Sequence, residues 1–133
     1  MAPALAFFAP LLGRCFVATL APDTVDRHCF TSVYEGAHVR DTHVVTAKRK
    51  AVYSGESLYS VDANGLEFIY FNSMGGVGHG NATVRSGTLA YTGSIKATPA
   101  DKPQPMGGKW IITSDGYDAA NEGQPVRLFR LSR

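Results

Sequence analysis

Beyond its N-terminus the chain nowhere sustains the 3.6-residue apolar period of an amphipathic helix. It breaks instead into short runs rich in β-branched and aromatic residues, with turn signals roughly every eight to twelve residues. The runs cover residues 14–20, 25–34, 38–47, 51–54, 57–62, 66–73, 77–85, 88–95, 109–114 and 126–131. Between them stand Pro22-Asp23-Thr24, Glu35-Gly36, Lys48-Arg49-Lys50, Asn64-Gly65, Met74-Gly75-Gly76, Ser86-Gly87 and Asp115-Gly116. Asn-Gly between alternating apolar runs is the strongest short-range hairpin signal among these. Pro99, Pro103 and Pro105 mark 96–108 as a loop, and 118–124 is polar and turn-like. The pattern predicts an all-β antiparallel meander, and closure into a barrel removes the exposed edges that so many short strands otherwise leave. No repeat at fixed spacing points to a propeller.

A chain of 133 residues fits one domain, 1–133, and buries enough surface to fold without a staple. Hydrophobic residues at 44% against 18% charged exclude intrinsic disorder. With 13 Lys+Arg and 11 Asp+Glu the net charge is +2, and no basic stripe exists to neutralise several phosphates, so nucleic acid is not an expected partner. The N-terminal stretch 1–13 is apolar, but its first basic residue is Arg14 and Pro3 and Pro10 interrupt it. It reads as a short helix or turn that packs Leu5, Phe7, Phe8, Leu11 and Leu12 onto the domain, not as a signal peptide or a membrane span. The expected location is therefore cytoplasmic, where Cys15 and Cys29 default to two reduced thiols. A cross-strand disulfide is the alternative, because a turn at Pro22-Asp23 sets the two cysteines opposite each other.

Hairpin registers nominate the candidate residues. A two-residue loop at Glu35-Gly36 places His28 opposite His43 and Phe30 opposite Asp41. The hairpin at Pro22 sets Phe16 beside His28. One face then holds Phe16, Ala18, His28, Phe30, Asp41 and His43. A loop at Asn64-Gly65 sets Val61 against Phe68 and Tyr59 against Tyr70, giving a face of aromatic bodies with polar tips. His79 lies between glycines, beside space that missing side chains leave. The ligand-binding set is thus Phe16, His28, Phe30, His43, Tyr59, Phe68, Tyr70 and His79. No metal and no cofactor are expected, since the histidines are far apart in sequence and hydrogen bonding accounts for them more simply. The chain has no G-x-S-x-G elbow, P-loop, H-E-x-x-H or C-x-x-C, and its carboxylates form no evident acid/base pair.

The segment Leu11-Leu12-Gly13-Arg14-Cys15-Phe16, after a short apolar opening, resembles the first strand of lipocalin-like (calycin) barrels. Gly55-Glu56-Ser57-Leu58-Tyr59-Ser60-Val61-Asp62 with Phe68 to Gly76 is similar to the central hairpins of bacterial members, and Leu128-Phe129-Arg130-Leu131 to a closing strand. The resemblance implies a barrel of about eight to ten strands with an internal pocket, and no particular ligand. The leading expectation is a barrel that binds a small hydrophobic or amphipathic molecule. Two others compete with it. One is a small enzyme with a pocket histidine as acid/base and a tyrosine or Arg40 steadying an oxyanion. The other is a filled barrel serving assembly, as a homo-oligomer or with its apolar strand 66–71 covered by the N-terminal segment.

Overall fold

A computed structural model describes residues 2–132; Met1 and Arg133 lie outside it. Ten antiparallel strands follow a 3-10 helix at Pro3–Leu11. They are β1 Arg14–Ala21, β2 Thr24–Val33, β3 His38–Ala47, β4 Lys50–Asp62, β5 Gly65–Asn72, β6 Val77–Arg85, β7 Thr88–Lys96, β8 Gln104–Thr113, β9 Gly116–Asn121 and β10 Arg127–Leu131. Each strand pairs with the next in sequence, and β10 returns to β1, so the sheet closes. Period-2 alternation sends one face of every strand inward.

The helix plugs one end of the barrel. Pro3 near its first position needs no N–H partner there. Leu5, Phe7, Phe8 and Leu11 are buried beneath it. Phe8 sits 4.7 Å from the Tyr59 ring and 6.1 Å from that of Phe30. Beside this end Tyr117 stacks between Trp110 at 4.9 Å and Phe129 at 4.7 Å, and Phe16 meets its edge at 5.8 Å. The helix does not cover β5, whose Ile69 and Phe71 remain about half exposed on the outer wall.

Several expectations need correction. The cysteines are joined: Cys15 and Cys29 are register partners on β1 and β2 and form a disulfide. Residues 51–62 are one unbroken strand, not two, because Gly55 serves close packing and not a turn. The β4–β5 loop is Ala63-Asn64, with Asp62 opposite Gly65, so Tyr59 pairs with Phe68 and Val61 with Leu66. Asp62 draws the turn back by accepting the Asn64 backbone N–H at 2.9 Å. The slip is two residues, an even number, and so leaves each side chain on its expected face. β8 starts at Gln104, inside the expected loop, because proline is tolerated at the beginning of a strand. β9 occupies much of the polar stretch 118–124; its Ala119 and Ala120 carry little strand signal of their own.

Candidate functional site

The β2–β3 register sets His28 opposite His43 and Phe30 opposite Asp41, as the Glu35-Gly36 loop predicts. Alternation then adds Asp26 to the same inward face. Asp26 and Asp41 are the buried charged residues of the described chain, 1% and 3% exposed. Charges at that depth require partners, and the histidines supply them. His28 Nδ1 donates to Asp41 at 2.7 and 2.9 Å, and its Nε2 donates to Asp26 Oδ2 at 3.1 Å. A carboxylate only accepts, so both ring nitrogens carry protons and His28 is an imidazolium.

His43 Nδ1 donates to Asp26 Oδ1 at 3.0 Å. Its Nε2 then accepts from the Tyr70 hydroxyl at 2.8 Å, and Tyr70 accepts from Tyr53 at 2.6 Å. A continuous line therefore runs Asp41–His28–Asp26–His43–Tyr70–Tyr53 across β2 to β5. The Arg127 guanidinium stands 3.8 Å from Asp26 on the other side. Gly55 makes the line possible: it lies opposite His43, and a Cβ there would collide with the Tyr70 hydroxyl.

Burial opposes a charge on His28, but Asp41 and Asp26 outweigh it and raise its pKa to about 9. Burial likewise works against the Asp26 carboxylate, and hydrogen bonds from His28 and His43 outweigh it, holding the group well below the usual carboxylate range. Burial pushes the Tyr70 hydroxyl up, and the Tyr53 hydrogen bond adds to that. Tyr70 is thus a neutral donor. The folded-state pKa of His28 exceeds its ordinary 6.5, so its stabilising contribution is complete below pH 6.5 and fades as pH rises through about 9. The shift corresponds to about 3 kcal/mol. Urea unfolding between pH 6 and 9.5 is expected to show that loss, and His28→Gln to abolish it. An undiminished decline in the variant would place its origin elsewhere.

This polar line forms one wall of a cavity of about 510 Å³. Facing it across the barrel are Ile95, Met106, Trp110, Ala119 and Phe129, from β7 to β10. The mouth lies at the end away from the helix and carries Asn121, Glu122, Gln124 and Arg127. Asn121 is held there by the Tyr91 hydroxyl at 2.6 Å.

Of the residues nominated from sequence, His28, His43, Tyr59, Phe68 and Tyr70 line this cavity. Phe16 and Phe30 do not; they are buried among the aromatic rings nearer the plugged end. His79 is exposed on the outer wall, because the inward positions of β6 are Gly78 and Gly80. Arg40 also faces outward, 3.6 Å from Glu56, and cannot steady an oxyanion inside. Sequence reasoning passed over Asp26, Tyr53, Trp110 and Arg127. Asp26 was reachable by counting two residues back from His28; Tyr53 was hidden by the false break at Gly55.

No family model matches the chain, and no curated protein matches it. Among solved structures, the crystal structure of Rv2717c from M. tuberculosis aligns over 100% of this chain and 99% of its own, with a TM-score of 0.65 at 19% identity. That likeness concerns the fold: it supports the ten-strand closed barrel and leaves the cavity to be read from its own residues.

Proposed function

We propose that the barrel binds a small amphipathic molecule. The observation that carries this reading is the cavity of about 510 Å³, closed at one end, with a hydrogen-bonding wall opposite an apolar one. Its size lies within the roughly 300–1,000 Å³ of small-molecule sites. The ligand's apolar body would lie along Met106, Trp110 and Phe129, and its oxygens or nitrogens would face Tyr53 and Tyr70. The lipocalin-like assignment is retained in the broad sense of a closed antiparallel meander around a pocket. The Cys15–Cys29 bond favours an oxidising compartment over the cytoplasm, where such bonds are rare.

The chain has one tryptophan, and it lines the cavity. Titration with 1-anilinonaphthalene-8-sulfonate is expected to quench Trp110 emission and saturate at one equivalent. Met106→Trp, which narrows the cavity beside Trp110, should weaken binding about tenfold, the effect of losing roughly 1.4 kcal/mol of contact. Probe binding with full affinity in that variant would disprove the interior site.

A second reading, an enzyme with histidine acid/base chemistry, is supported by the Asp26–His43–Tyr70 hydrogen bonds. In that arrangement Asp26 orients His43, and His43 is positioned to take the Tyr70 proton as the Tyr70 oxygen accepts one from a substrate.

A further inference from the structure

We propose that Asp26, His28 and His43 form a binding site for one divalent transition-metal ion of the zinc or cobalt class. This inference does not depend on the amphipathic-ligand reading. One donor atom from each of the three residues lies within 4.8 Å of the other two. The pairs facing Asp26 are already close, with His28 Nε2 at 3.1 Å and His43 Nδ1 at 3.0 Å from its two oxygens. Donors around a tetrahedral ion with bonds of about 2.1 Å are about 3.4 Å apart. The two histidine nitrogens need therefore close by little more than an ångström, and the two Asp26 contacts open by a few tenths.

The second observation concerns the far side of each ring. Metal-bound histidines almost always hand their other N–H to a carboxylate or another oxygen, which fixes tautomer and orientation. His28 presents Nδ1 to Asp41 at 2.7 Å, and His43 presents Nε2 to the Tyr70 hydroxyl at 2.8 Å. Both outer partners are thus in place on β3 and β5. In the metal-free protein, protons occupy the two contacts between the rings and Asp26. A cation entering there displaces the proton on His28 Nε2, which leaves to solvent. His43 stays neutral and changes tautomer: its Nδ1 releases a proton to solvent, its Nε2 takes one from solvent, and the Nε2–H then donates to the Tyr70 oxygen while both tyrosine hydroxyls keep their protons. The donor set of two nitrogens and one carboxylate is one that zinc and its neighbours accept. Three protein ligands leave a fourth position, and all three residues line the cavity, from which a water or ligand atom can reach it.

Dialysis of the intact protein against Co²⁺, followed by metal analysis and visible spectroscopy, tests the site. One equivalent is expected, with a visible band of low-symmetry cobalt and strongly shifted imidazole N–H proton resonances from two histidines. Asp41→Asn, which touches no metal in this arrangement, should weaken binding roughly 10- to 100-fold. His43→Gln should remove one of the shifted resonances and most of the affinity. His79→Ala, on the outer wall, should change neither. Retention of no cobalt by the folded wild-type protein overturns the proposal, as does binding that His79→Ala abolishes. A spectrum with no shifted imidazole proton does the same, and it needs no variant to fold.

Discussion

Asp26→Ala is expected to destabilise the barrel by about 3–5 kcal/mol, the usual cost of removing one partner from a buried ion pair. The carboxylate accepts from His28 and His43 and faces Arg127, and it is 1% exposed. Its loss leaves a buried imidazolium with one partner in place of two. His28 would answer by losing part of its raised pKa, so the variant should also lose part of the alkaline sensitivity expected of the wild type. Urea unfolding at pH 7 measures the first effect, and NMR titration of the His28 ring the second. A cost below about 1 kcal/mol, the range of exposed ion pairs, would mean that water reaches Asp26 freely.

The second large effect concerns the plug. Phe8→Ala removes a fully buried ring between Tyr59 and Phe30. Phenylalanine-to-alanine changes in cores cost about 3–5 kcal/mol, and more where the neighbours cannot close in. Here the walls belong to a closed sheet whose strands are held on both sides, so the space persists. The void would join the existing cavity from below or stand just beneath it. Calorimetry is expected to show a large drop in Tm, while 1-anilinonaphthalene-8-sulfonate binding rises or is preserved. A small drop in Tm with the barrel intact would show that the helix lies on the barrel end without bearing on its stability.

The strand meander was legible in the sequence because each turn has its own local chemistry. Pro22-Asp23 and Glu35-Gly36 set two registers correctly, and those two hairpins carry His28 opposite His43. The places that misled are those where a local signal answers to a distant partner. Gly55 looks like a break, but a Cβ there would collide with the hydroxyl of Tyr70, fifteen positions later and brought alongside only by the pairing of β4 with β5. Pro105 looks like loop but opens a strand. Alternation gave the inward faces, yet it does not give depth. Phe16 and Phe30 share a face with His28 and still lie on the plugged side of it. Asp26 escaped notice for a further reason. Asp26 is adjacent to a turn in sequence, where solvated acids are common, and only the closed barrel turns that position into an interior one.

The seam between β1 and β10 is short, with Phe16 opposite Leu131 and Val17 opposite Arg130. Every other strand pairing joins sequence neighbours, whereas this one must bring the two extremes of the meander together. Contacts of such long separation carry the largest loop-closure cost and are associated with slow folding. The cavity has no second wall until that seam forms. The moment of closure is therefore also the moment at which the buried Asp26–His28–Asp41 charges are withdrawn from water, and the folding rate should be set by the joining of the first and last strands.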